Sequence, residues 1–555
     1  MSAPNAAPER KAAAVALVLA GVALAGAAWL LPANLKSISP ALLRAAGAGT
    51  PTLGAFGRDL VDLEKIGPAA LVLTAARATD DPRAPALASA IDAAAARQPG
   101  IAAWGGWDPF LDPLFNLRAD TSRRGSTPVL TFFNAESARE KLRAYLTNSG
   151  SLGVQSLLKL RDLTATGRFV PATRPGGQPL DALILLSALL YQGERFAPPL
   201  QREIRGLAET ALEKKELGDL AQFFMDLLSL GRRLDWTQLS ELLRRTEDTR
   251  TVGEFAQLAR VAPDQLPLIY AAALFSDSAD RAAGYLIQFG KAGLDDLRLA
   301  LASGQGAVRV LLERQMLVNR GRSFAPGAAA TFALLHPQFA LALKYLGYLL
   351  GVWLVLRGLD RALVGVFDRA RPFDAFAHVK GGVLALLFAG LLIVTTEPFL
   401  LRAAPPSEYQ VRLRVPVLVA TAEISPPKSS QPVTTTMDTS TLLSIGLFAT
   451  LQVAMYFTCL LKIREVSRQS VPPLVKLKLM ENEENLFDGG LYVGIAGTAT
   501  ALVLQVLRII EPNLLAAYAS NLFGIICVAL VKIRHVRDYK RQLILEAQVE
   551  SKMTS

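Results

Sequence analysis

Six apolar runs constrain this chain more than any other feature of its sequence. They occupy residues 12–31, 338–356, 381–401, 441–461, 489–507 and 514–531. Each is close to the twenty or so residues that cross about 30 Å of hydrocarbon at about 1.5 Å per helical residue. No water in a bilayer interior can satisfy open peptide groups, so segments that cross it fold as helices. Composition agrees: 51% of the residues are hydrophobic and only 19% charged, with positive mean hydropathy. The expected class is an all-α polytopic membrane protein with six transmembrane helices. The first run follows Arg10 and Lys11 and ends in Ala-x-Ala spacings at Ala23, Ala25 and Ala27. A cleaved signal peptide is therefore the alternative to an anchor, and the length of the run favours the anchor.

Orientation follows from lysine and arginine in the connections, because basic segments resist translocation. Arg357, Arg361, Arg369, Arg371 and Lys380 follow the second run. Lys462, Arg464, Arg468, Lys476 and Lys478 follow the fourth, and Lys532, Arg534, Arg537, Lys540 and Arg541 the sixth. Both termini are expected in the cytoplasm of a bacterial-type cell, with the spans in its inner membrane. The organisation read from this is an N-terminal anchor (1–34), a large extracytoplasmic domain (35–337), spans two and three with a basic loop (338–401), an outer segment (402–440), spans four to six (441–531) and a basic tail helix (532–555). The lipid bilayer accounts for the net charge of +11. No aromatic-basic interleaving calls for nucleic acid.

In the large outer segment, amphipathic stretches succeed one another at 201–212, 217–230, 236–245, 252–261, 265–275, 278–289, 293–302 and 307–315, separated by punctuation such as Pro263, Gly290 and Gly304. Such succession predicts stacked helical hairpins, either an α-solenoid or an irregular bundle. A further helix is expected after Asn134 as N-cap, stopping at 148–150. Residues 180–190 form a run too short to span and are expected as a buried core helix. Strands are expected near 69–75, 127–133 and 409–424, the last followed by a Pro/Ser/Thr linker. The aromatic stretch 104–115 reads as a packed loop.

Chemistry-bearing patterns are sparse. Cys459 and Cys527 lie inside apolar runs, and His336, His378 and His535 are far apart. Neither set has disulfide or metal-ligand spacing. The acidic pairs Asp80-Asp81 and Asp295-Asp296 read as solvated surface charge, since adjacent side chains diverge. No catalytic residue, cofactor or metal is expected, and the chain is read as non-enzymatic.

The last two runs are joined by only Glu511-Pro512-Asn513 and must pack as an antiparallel hairpin. Counting from the turn places Thr498 near Gly524, Thr500 near Leu522, and Ser520 and Asn521 near Leu502 and Val503. Gly494, Gly497 and Gly524 permit close backbone approach, the packing reading. Alternatively Thr498, Thr500, Gln505, Ser520 and Asn521 line a hydrated path or a partner-helix site. The stretch 494–502, GIAGTATAL, resembles the G-x-x-G-T segment of the MotA/TolQ/ExbB proton-channel family, with 516–525 and 532–546 similar to its returning helix and basic cytoplasmic helix. The resemblance covers about the last sixty-five residues. It implies a pentameric channel-like subunit with Thr498 on the pore side and a partner carrying the proton-binding acid. The large external domain and the short stretch 462–488 depart from that family.

Two ionisable residues sit inside other spans: Lys344 about one and a half turns into the second, and Glu397 about one turn from the outer end of the third. Both lie at outer-leaflet depth and are able to pair, although a lysine at that depth also reaches the interface by snorkelling. The function expected from these features is an assembly or scaffold component that presents its external domain to protein partners or to further copies of itself. The rival is an ion-conducting or energy-transducing subunit, and a third possibility is an enzyme sited in the external domain.

Overall fold

A computed structural model describes residues 6–121, 125–321, 325–364, 374–400, 407, 409, 439–506 and 514–554. It is all-helical, and the only β features among the described residues are two isolated bridges. The chain forms two compact units. One comprises Ile38–Ser323 with Pro405–Val415; the other comprises Met1–Ser37, Phe324–Ala404 and Pro416–Ser555.

The first unit is a bundle of helices whose boundaries follow local chemistry. Thr52, Asp248 and Ser278 each accept an amide of the first turn as N-caps, and Asp235 with Gln238 forms a reciprocal capping box. The apolar run 180–190 is the middle of the helix Gln178–Gln192, and every residue from Leu180 to Leu190 is buried. Burial on all sides explains why it lacks an amphipathic pattern. The expected pair of helices at 278–289 and 293–302 is present: within Ala279–Ser303 two helical stretches meet at Gly290, whose φ of 57° and ψ of −135° are non-helical. The loop around 104–115 is packed as expected. Trp104 stacks on Phe132 at 3.9 Å, and the Trp236 Nε1 donates to Asp108 at 2.9 Å.

Three expectations are corrected here. Residues 69–75 belong to the helix Ile66–Ala78, and residues 127–133 carry the helix Val129–Phe133 rather than a strand. Strand preference is a weak prior that burial overrides: Val129, Leu130, Phe132 and Phe133 are all buried on one short turn set by Pro128. Asn134 is not the expected N-cap: it ends the preceding helix Val129–Phe133 as its C-cap, its amide donating to the Leu130 carbonyl, and the helix Glu136–Thr147 begins after Ala135, while the Asn134 carbonyl accepts from Arg139 at 2.5 Å. Of the expected strand at 409–424 only Tyr409 is described. It is buried, and its carbonyl accepts from Gln257. The remainder, with the linker, lies outside the described residues.

Packing also departs from an open stack, in which each repeat touches only its neighbours. The helix Pro40–Gly47 packs on Gln305–Arg314, and Ile66–Ala78 packs on Leu266–Ser276. The beginning of the unit thus closes on its end. A backbone clasp completes the closure: Ile38 N donates to the Leu317 carbonyl at 2.9 Å, and Asn319 N to the Ile38 carbonyl at 2.8 Å. Asp296 secures this clasp, correcting its assignment to the solvated surface. Its buried carboxylate accepts from Val318 N at 2.7 Å, Arg320 at 3.0 Å and the Tyr285 hydroxyl at 3.4 Å. Asp295 beside it is exposed, as expected.

In the second unit the helices are α1 (Ala6–Leu30), α2 (Pro337–Val364), α3 (Asp374–Thr396), α4 (Thr439–Arg468), α5 (Gly489–Val506) and α6 (Leu514–Ala529). Three stretches are long and apolar enough to cross a membrane: Ala12–Leu30, Pro337–Ala362 and Ala519–Val549. The last continues from α6 through a π-helical turn, Leu530–Val536, into the tail helix Arg537–Thr554. Helix α1 lies along α2 on a seam of glycines. A side chain on Gly351 would meet the Gly21 carbonyl at 2.8 Å, and one on Gly347 or Gly358 would strike Ala28 or Val18 at 2.7 Å. Without a hydrophobic drive between helices in lipid, such close approach supplies the association.

Removing the Asp296 carboxylate leaves Val318 N and Arg320 without this acceptor, while the Tyr285 hydroxyl keeps the Met316 carbonyl at 3.3 Å. Asp296→Ala is therefore expected to lower the stability of the Ile38–Ser323 unit by about 1–3 kcal/mol. Hydrogen exchange checks it: the Ile38, Val318 and Asn319 amides should lose protection first.

Candidate functional site

Lys344 and Glu397 meet at one point, and the structure builds a site around them. Lys344 is carried by α2, and Glu397 immediately follows the last turn of α3, its own amide donating to the Ile393 carbonyl at 2.8 Å. Between Lys344 Nζ and Glu397 Oε1 the distance is 2.7 Å, and the side chains are 0% and 1% exposed. The ammonium has three acceptors: that carboxylate, the Ala33 carbonyl at 2.5 Å and Asn34 Oδ1 at 2.7 Å. Glu397 accepts in addition from the Tyr345 hydroxyl at 2.9 Å and from Leu35 N at 3.0 Å. Asn34 in turn donates to Ser37 at 3.2 Å. Ala28, Tyr348 and Ala389 form the apolar cluster of the same three helices.

Two opposite charges removed from water cost several kcal/mol each, which their attraction offsets only when the remaining donors and acceptors are filled. Here each of the three ammonium protons has an acceptor and both carboxylate oxygens have donors. The lysine does not snorkel: its nitrogen is held by the chain where α1 ends and by the residue that follows α3.

The residues of the hairpin come together in a different register from the one counted along the sequence. Gly494 faces Ser520, Asn521 and Gly524, where a side chain would meet the Ser520 carbonyl at 3.0 Å and the Gly524 Cα at 3.4 Å. Gly524 in turn faces the Gly490 carbonyl, and Gly497 the Ser520 hydroxyl. Glycines therefore set the register by closest backbone approach, where counting from the turn put Thr498 opposite Gly524. Ser520 is fully buried and donates to the Gly494 carbonyl at 3.3 Å, while Thr498 donates to the same carbonyl at 3.0 Å, back along its own helix. The side chains of Thr500 and Gln505, and those of Leu502 and Val503, lie outside the described residues.

Sequence reading missed Gln452, which α4 contributes to this junction. Its Nε2 donates to the Gly490 carbonyl at 3.0 Å, while its Oε1, like Asn521 Oδ1, is buried without a hydrogen-bond partner among the described residues. A lone glutamine in an apolar run carries no local signal; only the closeness of Gly490 and Gly524 identifies its role. The seam Gly347-x-x-x-Gly351 was legible in principle, since small residues four apart share a helix face.

The Ile38–Ser323 unit holds one further unusual group. Asp235 is buried with no cation paired to it among the described residues, and Gly67 and Gly105 leave room for its carboxylate, their added Cβ atoms falling 2.0 Å and 2.1 Å from its oxygens. It accepts from Gln238 N at 2.8 Å and from the Ser126 hydroxyl at 2.6 Å. Burial pushes its pKa up to about 7, against the opposing effect of these donors. The recesses of this unit include one of about 100 Å³ lined by Thr131, Asn134 and Arg232, and an open one of about 520 Å³ lined by Glu194, Gln201 and Arg244. Among the described residues no three histidine, cysteine, aspartate or glutamate side chains converge as metal ligands.

Comparison with protein-family models, with curated proteins and with solved structures returns no match to this chain.

Two outcomes follow from these geometries. Lys344→Met and Glu397→Gln are each expected to destabilise the α1–α2–α3 bundle by about 3–5 kcal/mol, because each strands a buried partner. The double variant should fall well short of the sum, and unfolding in mixed micelles reads the coupling. For Asp235 the folded-state pKa is raised, so its contribution to stability is present at low pH and is lost as pH rises from about 4 through about 7. Asp235→Asn should remove that part of the slope, at most about 1.4 kcal/mol per pH unit, in denaturant titrations run across the range.

Proposed function

We propose that this chain is a non-enzymatic assembly component of a bacterial-type inner membrane. It has six transmembrane helices, cytoplasmic termini and an extracytoplasmic helical domain offered to protein partners or to further copies. One observation carries this reading: the Lys344–Glu397 cluster joins α1, α2 and α3 through Ala33, Asn34 and Leu35, the residues by which the chain leaves α1 for the Ile38–Ser323 unit. A buried pair in which every ammonium proton has an acceptor and both carboxylate oxygens have donors serves as a fastening; a charge that relays ions needs a vacant partner. Retention of α1 as an anchor is supported by its glycine seam with α2, which a cleaved peptide has no need of. The basic connections supply the orientation, and α3, α4 and α5, which are not among the three stretches long and apolar enough to cross a membrane, are assigned to it by their place between those connections.

A second reading, an ion-conducting or energy-transducing subunit of MotA/TolQ/ExbB type, is favoured by a separate observation. Gln452 Oε1 and Asn521 Oδ1 are buried acceptors without donors among the described residues, beside Gly490, Gly494 and Gly524. Unsatisfied amides in a membrane interior mark a place for water or a neighbouring helix.

Photo-crosslinking in intact cells from exposed positions of the external unit, such as Tyr145, separates the two together with proton flux in proteoliposomes. The assembly reading expects a discrete protein adduct and no flux. Flux that Thr498→Val abolishes, with no adduct, replaces it with the channel.

A further inference from the structure

Asp181 stands in the first turn of the otherwise apolar core helix Gln178–Gln192, and three arginines converge on it. Arg139 Nε lies 3.2 Å from Oδ2, Arg143 Nη2 3.3 Å from the same oxygen, and Arg161 Nε 2.6 Å from Oδ1. Their side chains are 7%, 41% and 19% exposed. No other carboxylate pairs with them among the described residues. One carboxylate against three guanidinium groups leaves a formal surplus of two positive charges.

The three arginines are not equivalent. Arg139 is engaged by the fold, donating to the Phe133 and Asn134 carbonyls at 3.1 Å and 2.5 Å. Among the described residues Arg143 and Arg161 have only Asp181 as an ion-pair partner. The Arg143 Nε is buried and has no acceptor among the described residues. One arginine would suffice to neutralise Asp181, and partly buried charges that repel one another are costly unless an anion joins them. Guanidinium forks with spare donors are the groups that hold phosphate oxygens two at a time. A phosphate carries about −1.5 to −2 at neutral pH, close to the surplus.

We infer that Arg143 and Arg161, positioned by Asp181 and Arg139, form a binding site for a phosphate group on the Ile38–Ser323 unit. The ligand class is a phosphate dianion, free, esterified or at the head of a lipid. Asp181 holds the forks in place and lowers the affinity for the anion by its own charge.

Isothermal titration of the full-length protein in micelles with sodium phosphate, against sodium chloride at equal ionic strength, tests this. Saturable binding to phosphate alone is expected. Arg143→Gln and Arg161→Gln should each weaken it about tenfold, the loss of one charge-assisted contact. Arg143 is exposed enough for its variant to keep the fold, and unchanged helical circular dichroism verifies this. Asp181→Asn should bind more tightly where it folds. A second arm uses dihexanoyl phosphatidic acid: tighter binding than phosphate points to a lipid headgroup, and equal or weaker binding to a soluble phosphate, either supporting the site. Unsaturable heats in both arms, or affinity unchanged in both arginine variants, overturn it.

Discussion

A lysine ammonium withdrawn from water needs acceptors for its protons, and the second unit is arranged so that Lys344 finds three. Lys344 finds a backbone carbonyl and an amide oxygen from the adjacent Ala33 and Asn34, and a carboxylate from Glu397, far along the chain. That requirement determines where α1 ends, because Ala33 and Asn34 must present oxygens inward, and where α3 ends, because Glu397 must reach back. The glycine seam between α1 and α2 brings the backbones close enough for the contacts to close. Geometry of this kind trades stability for definition, since an apolar trio of similar volume would often hold as well.

The two units obtain their order differently. In the Ile38–Ser323 unit, apolar burial is dense and most polar groups serve as caps or clasps; Asp296 and Asp235 are both buried carboxylates engaged with backbone amides. In the second unit, glycine contacts and a few hydrogen bonds dominate the helix packing, as they do where apolar surface gains little from meeting apolar surface. The α5–α6 hairpin shows the principle at its plainest, with Gly494 against Gly524 and Ser520 bonded across to the Gly494 carbonyl.

What could be read from sequence divides along the same physical line. Helices announced by period and caps lie close to expectation, as with Trp236–Leu243 and Leu266–Ser276, and the apolar run 180–190 sits in the core as its length implied. The possibility that Lys344 and Glu397 pair was visible because both stand out in apolar text at similar depth. What failed were judgements needing three dimensions. The segment 127–133 has strand-like residues but becomes a helical turn under burial, and Asp296 looks like surface until its partners, Val318 and Arg320, arrive from farther along the chain. The hairpin register failed for a related reason: distance from a turn is a poorer guide than the position of residues without side chains.

The joining of Ile38 to Leu317 and Asn319 has a mechanical meaning. Tension applied where the chain enters and leaves the Ile38–Ser323 unit is shared by two backbone hydrogen bonds of a parallel bridge before it reaches a single helix. The two ends of the unit lie side by side, the arrangement that lets a circular permutation join them and start the chain elsewhere in the bundle.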